Sequence, residues 1–214
     1  MRVIWSGPGS PEANMAEDAR LLADSTAAFV LRFYTWQPTG LSLGHFQDAP
    51  PTSLLTALAG EEFRVVKRLT GGGAIVHADE LTYSLSGPDG EGPFAGAVDA
   101  SYAWMHEVLI DVFRDLGCPV EFAADAPAAL PHRERPFLCF ARSTALDLVA
   151  RGRKIVGSAK RRRGGRALQH GSIILRAHPA QTGAIGLHEL QPEHPIEARE
   201  LAQRIAARIA TILK

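Results

Sequence analysis

Residues Val66–His77 read V-K-R-L-T-G-G-G-A-I-V-H, two short strand-like runs, Arg64–Arg68 and Ala74–His77, separated by three glycines. A connection this short turns the chain back on itself, because a parallel crossover needs a dozen residues or more. Outward from this point the pattern repeats. Leu31–Trp36 and Leu41–Leu43 read as strands about a Pro38-Thr39-Gly40 turn, and Thr82–Ser86, Asp147–Val149, Arg153–Ser158 and Ser172–Leu175 as further strands. Helices are expected at Glu12–Ala28, Pro50–Ala59, Asp99–Leu116 and Ile196–Leu213. The third is stopped by Gly117 and Pro119, and the last carries Leu201, Ile205, Ile209 and Ile212 on one face. Gly87–Gly96 reads as a surface loop and Pro127–Pro136 as an irregular stretch. Irregular alternation of this kind predicts an α+β fold, a mostly antiparallel sheet flanked by helices, as a single domain over residues 1–214.

The chain has 214 residues, 46% hydrophobic and 21% charged, which are ordinary globular values. Twenty-three basic residues balance 23 acidic ones, a composition that argues against general nucleic-acid binding. No apolar run approaches the roughly 20 residues that span a bilayer, and the first residues do not make a secretory leader. A cytoplasmic protein is expected, with Cys118 and Cys139 as free thiols.

Two segments carry candidate chemistry. The Gly71–Gly73 turn lets backbone approach a ligand and offers successive N–H groups to an anion or polar head group. A plain glycine-rich hairpin turn fits the same residues equally well. The second segment, Arg151–Leu175, reads R-G-R-K-I-V-G-S-A-K-R-R-R-G-G-R-A-L-Q-H-G-S-I-I-L. Lys154 opens a strand, where a lysine is ordinarily a solvated edge charge, and Gly157, Ser158 and Ala159 are small enough for close backbone contact. The run Lys160–Arg166, interrupted by two glycines, reads as a mobile basic flap suited to an acidic partner protein or a phosphate.

Taken together, R-L-T-G-G-G-A-I-V-H with D-E-L-T-Y-S, and G-R-K-I-V-G-S-A-K-R-R ending in L-Q-H-G-S-I-I-L, resemble the signature of the lipoate–protein ligase and octanoyltransferase family. N-M-A-E-D-A-R-L-L and L-R-F-Y-T-W-Q-P-T-G-L-S-L-G-H-F-Q resemble the same family, so the likeness runs from about Ala13 to Leu175. The resemblance implies a fold shared with biotin ligases and related to class II synthetase cores. It also implies an acyl pocket walled by Arg68–His77, and a lysine, here Lys154, on the acyl carbonyl, where an ammonium stabilises oxyanion charge.

The family holds two chemistries. An octanoyltransferase takes an acyl group from acyl carrier protein and delivers it to a lipoyl-carrier protein (glycine-cleavage H protein or a dehydrogenase E2 subunit), without a cofactor or metal. A ligase uses ATP and Mg to make lipoyl-AMP, in some cases with an accessory subunit on another chain. Cys139, in P-F-L-C-F, resembles the nucleophile of the transferase branch whose cysteine lies upstream of the lysine motif. Lys154 would supply positive charge to it and His77 would act as a local base, whereas a buried small hydrophobe is the bland reading of the same cysteine. His170, in L-Q-H-G, matches the family pattern as an acyl or carrier contact or as a strand-orienting group. Gly73 departs from that transferase branch, which tends to carry arginine there, and favours the ligase. A biotin ligase is less favoured because its basic G-R-G-R-x-G-type loop is absent, and a non-catalytic carrier-binding module is the remaining class.

Overall fold

The computed structural model describes residues 1–26, 28–123 and 135–212, so most of the Pro127–Pro136 stretch lies outside the described residues. In chain order the elements begin with β1 (Arg2–Gly9), α1 (Pro11–Ala23), β2 (Val30–Trp36), β3 (Thr39–Leu43) and α2 (Thr52–Leu58). There follow β4 (Phe63–Lys67), β5 (Ile75–His77), β6 (Glu80–Pro88) and α3 (Ala100–Asp115). The second half adds β7 (Glu121–Phe122), β8 (Leu148–Ala150), β9 (Arg153–Arg163), β10 (Arg166–Ile174), α4 (Leu187–Leu190) and α5 (Ala198–Ile212). A seven-stranded sheet has the order β1-β2-β6-β10-β9-β8-β7, antiparallel except for the β1–β2 pair. A three-stranded sheet, β4-β3-β5, stands beside it. The α+β class with a mostly antiparallel sheet is as the short connections require.

Helices α3 and α5 cover one face of the large sheet. Met105, Leu109, Val112 and Phe113 of α3 and Leu201, Ile205 and Ile209 of α5 pack on Phe33, Leu81, Tyr83, Val156 and Ile173. Helix α1 lies on the other side, against β2 and β10. Ser10 caps it through a side-chain bond to Ala13 N, with Pro11 in the first turn. It ends at Ala23, short of the expected Ala28, because the Asp24 carboxylate takes the N–H and hydroxyl of Thr26 and bends the chain away from helix. Asp18 fixes α1 to the sheet. Its buried carboxylate accepts Arg32 Nη1 at 3.1 Å and Tyr34 OH at 3.0 Å, and Arg32 Nη2 reaches Asn14 Oδ1 at 2.8 Å.

Two expectations need correction, and one strand was not expected. Lys160–Arg166 is not a mobile flap: β9 runs on to Arg163, β10 starts at Arg166, and only Gly164 and Gly165 turn the chain. Both have positive φ, +57° and +73°, the geometry of a two-residue hairpin turn that glycines supply at little cost. Lys160 is tied to the Val98 carbonyl and the Ser101 hydroxyl, and Arg162 to Asp89, so the hairpin is held against the body. Residues 2–9, which show no clear alternation, form β1, an edge strand with a bulge between Trp5 and Gly7. Within Gly87–Gly96, β6 extends to Pro88 and Phe94 is buried in the core.

Removing the carboxylate of Asp18 leaves Arg32 as an uncompensated buried cation. Asp18→Ala should therefore lose about 3–5 kcal/mol of unfolding free energy. Chemical denaturation checks this, and Arg32→Lys, which keeps the charge, should lose less.

Candidate active site

The glycine turn, the cysteine segment and the start of β9 meet at the rim of the large sheet. Between them lies a cleft lined by Arg68, Gly72, His77 and Cys139 and, from the sheet, by Gly157, Ser158, Ala159 and His170. Trp36, Tyr34 and Met15 supply apolar wall. The structure therefore brings together eight of the residues expected from sequence, with Lys154, Gly71 and Gly73 in contact just behind them.

Cys139 begins a single 3₁₀ turn, Cys139–Ala141. Its N–H donates to Ala74 O at 2.8 Å, and Ala74 N–H donates to Phe137 O at 2.9 Å, so residues 137–139 are zipped alongside the end of the glycine turn. Gly73 permits this approach. A Cβ there would lie 2.8 Å from both Cys139 N and Phe137 O, and 2.5 Å from Arg142 Nη2.

Lys154 is only 4% exposed and reaches across to this segment. Its Nζ lies 2.9 Å from Asp147 Oδ2, 3.6 Å from Cys139 Sγ, and 3.5 Å from the carbonyls of both Cys139 and Arg142. Asp147 is held in turn by Thr144 N–H at 2.7 Å and the Thr144 hydroxyl at 3.1 Å. Gly157 makes the space: a Cβ at this position would come within 2.8 Å of Lys154 Cε and 3.7 Å of Cys139 Sγ. A cation beside the sulfur stabilises negative charge that gathers there or on an adjacent acyl oxygen.

Arg68 does not face a ligand with free donors. It gives five hydrogen bonds, to Thr70 Oγ1, Ser42 O, Ser42 Oγ, Gly71 O and Gly73 O, the last two at 2.7 Å. Burial lowers its pKa to about 10, partly offset by Cys139. By drawing the carbonyls of Gly71 and Gly73 toward itself, with Gly72 at φ +97°, Arg68 fixes the turn. Among the described residues no partner takes the N–H groups of Gly72 and Gly73.

The two histidines are bound at both nitrogens. His77 stacks on Trp36 at 3.8 Å, donates from Nδ1 to Glu80 Oε1 at 2.9 Å, and bonds Ser42 Oγ through Nε2 at 2.7 Å. Burial pushes its pKa down, with Glu80 opposing. His170 bonds Asp18 Oδ2 through Nδ1 at 3.0 Å and Thr70 Oγ1 through Nε2 at 2.7 Å. Both histidines thus support the residues that position the glycine turn.

The Ser158 side chain points to the opposite face of β9. Its Oγ bonds His106 Nε2 and Tyr83 OH, each at 2.7 Å, while His106 Nδ1 donates to Leu146 O. Burial lowers the His106 pKa to about 4. Asp147, Asp18, Ser42, Thr70 and His106 were not among the residues singled out from sequence. Only Asp147 had a local signal, in R-S-T-A-L-D just before Lys154.

A family model described as the lipoyl protein ligase A/B catalytic domain matches residues 10–204. The chain belongs to this family. It is 36% identical over 177 residues to octanoyltransferase LipM of Moorella thermoacetica, covering 81% of this chain and 64% of that one. LipM of Bacillus subtilis is 36% identical over 182 residues, covering 81% and 65%. The chain thus spans just under two thirds of the length of these relatives. Two solved structures share the fold. A lipoate-protein ligase A bound with ATP has a TM-score of 0.74 at 18% identity, covering 99% of this chain and 85% of that one. A bipartite lipoate protein ligase from Thermoplasma acidophilum has a TM-score of 0.68 at 17% identity, covering 99% and 83%.

Two outcomes follow from this geometry. Gly157→Ala should fold normally yet displace Lys154 from Cys139, and a misplacement of about 1 Å costs roughly 100-fold in turnover. Acyl-transfer kinetics beside a thermal melt would separate the two effects. Acid should weaken the fold through His106. Its folded pKa lies below the ordinary value, so the unfolded chain binds the proton first and stability falls as pH drops from about 6.5 toward 4. Urea midpoints at pH 7.5 and 5 should diverge more in wild type than in His106→Asn.

Proposed function

We propose that this chain transfers an octanoyl or lipoyl-type acyl group from a carrier thioester to a lysine of a lipoyl-carrier protein, by way of a thioester on Cys139. The observation that carries the proposal is the Lys154 ammonium 3.6 Å from Cys139 Sγ, at the wall of a cleft with apolar lining from Met15, Tyr34 and Trp36. In the first step the deprotonated sulfur attacks the donor carbonyl. The bond from acyl carbon to donor sulfur breaks, and the donor leaves as a thiol with the proton that Cys139 gave up. In the second step the neutral amine of the acceptor lysine attacks the Cys139 thioester. An amide forms, the carbon–sulfur bond breaks, and the proton released by the amine returns to Cys139. No ATP is consumed, since a thioester is already activated.

Lys154 stabilises the charge on sulfur and on the tetrahedral oxygen, and Asp147 holds the ammonium in place. Arg68 and His77 keep the glycine turn in shape, and the N–H groups of Gly72 and Gly73 are available to the acyl oxygen. The names of the LipM relatives support octanoyl transfer, and acyl carrier protein is the donor in this reading. The Thermoplasma ligase described with its E2 lipoyl domain supports an E2 lipoyl domain as acceptor, and the H protein is the second acceptor in this reading. The reducing cytoplasm suits a mechanism that needs a free Cys139 thiol.

The same glycine turn favours one alternative. Without a side chain at Gly73, its N–H groups are open to a phosphate, as a ligase handling lipoyl-AMP with ATP and Mg would require. Incubation with octanoyl-acyl carrier protein followed by intact mass spectrometry decides between them. A single hydroxylamine-labile octanoyl adduct is expected on wild type and none on Cys139→Ser, while Lys154→Ala should load about 10²–10³-fold more slowly. An undiminished adduct in Cys139→Ser, or no adduct together with lipoate-dependent AMP formation, would overturn the transferase reading.

A further inference from the structure

The entrance of the cleft carries an aromatic ring that the fold does not use. Phe46 is 72% exposed, the most open of the exposed large hydrophobic residues. A Cβ on Gly71 would touch its ring, at 3.9 Å, so it stands directly against the glycine turn. The loop beneath it is not slack. His45 N–H donates to Thr70 O, Gly44 N–H to Gln47 Oε1, and Gln47 Nε2 to Phe137 O at 3.0 Å. Gln47 therefore ties the loop that carries Phe46 to the segment that bears Cys139. An exposed aromatic side chain on a loop held in this way can anchor a protein interface.

Arg142 stands on the other flank of the turn. Its guanidinium lies over Gly73, half-buried, and among the described residues no carboxylate pairs with it. The neighbouring cations are already satisfied, Lys154 by Asp147 and Arg68 by its five oxygen acceptors. The entrance thus offers an apolar anchor on one side and, on the other, a guanidinium with no carboxylate partner among the described residues.

We infer that Phe46, seconded by Arg142, is the docking point for the lysine-bearing acceptor domain of the proposed transfer, on which this inference rests. Reach decides which carrier docks here. The acyl donor holds its thioester on a long flexible arm, so its protein body need not approach the cleft. The acceptor amine sits on a four-carbon stem that spans roughly 6 Å from the backbone. Its protein surface must therefore press against the rim beside Gly71–Gly73, where Phe46 stands. The surface that fits presents an apolar residue and a carboxylate next to the lysine.

Binding of a recombinant unlipoylated E2 lipoyl domain, measured by calorimetry with no acyl donor present, tests this independently of the chemistry. Phe46→Ala should weaken binding at least tenfold. Arg142→Glu should weaken it further at low salt than at high salt. Phe46→Ala should keep the wild-type melting temperature and the wild-type rate of octanoyl loading onto Cys139. Unchanged lipoyl-domain affinity in Phe46→Ala would overturn the inference. So would weakened binding of octanoyl-acyl carrier protein instead, or a wild-type dimer that Phe46→Ala dissolves, since each gives Phe46 to a different occupant. Loss of Cys139 loading in wild type with Phe46-dependent lipoyl-domain binding intact would count against the transfer mechanism and leave the docking site standing.

Discussion

Burying the ammonium of Lys154 is the constraint on which the site depends. An ammonium removed from water costs several kcal/mol unless it is paired and hydrogen-bonded, and no group within β9 can meet that need. The partners come from the preceding segment: the carboxylate of Asp147 and the carbonyls of Cys139 and Arg142. Satisfying one cation therefore folds residues 139–147 against β9 and sets the Cys139 sulfur beside it. The bare Cα of Gly157 leaves room for the meeting. The charge that organises the segment thus also lies 3.6 Å from the Cys139 sulfur.

Arg68 works on the opposite wall by the same logic, with a different result. Its five donors are all spent on backbone and hydroxyl oxygens, so its charge shapes the glycine turn. The carbonyls of Gly71 and Gly73 turn to it, and among the described residues the N–H groups of Gly72 and Gly73 have no partner. Behind Arg68 a relay runs through Ser42 and His77 to Glu80, and a second runs through Thr70 and His170 to Asp18. The second reaches α1, so the helix that lines the cleft through Met15 and the turn that rims it are held by one hydrogen-bonded chain.

Much of this was legible in local sequence, for identifiable reasons. The short connections about Gly71–Gly73 allow only antiparallel neighbours, and the 3.6-residue spacing in α3 and α5 marks the faces that pack on the sheet. Lys160–Arg166 misled, because charge density suggests a solvated loop, whereas Lys160–Arg163 pair across the Gly164–Gly165 turn with β10, which pairs in turn with β6 far away in the chain. The partners of the site residues were also hidden. Asp18 and His170 are 152 residues apart, and Ser158 meets His106 across 52. No periodicity records such a pair.

The sequence by itself determined the class of fold, the family, and the residues that gather at the cleft, because hydrophobic period, turn length and motif order are local properties of the chain. The tertiary structure decided their roles. It made Arg68 a pin for the glycine turn, turned Ser158 toward α3, occupied both nitrogens of His77 and His170, and set Lys154 between Asp147 and Cys139. Which donor meets which acceptor depends on approach to within about 3 Å in space, and only packing of the whole sheet against its helices fixes that distance.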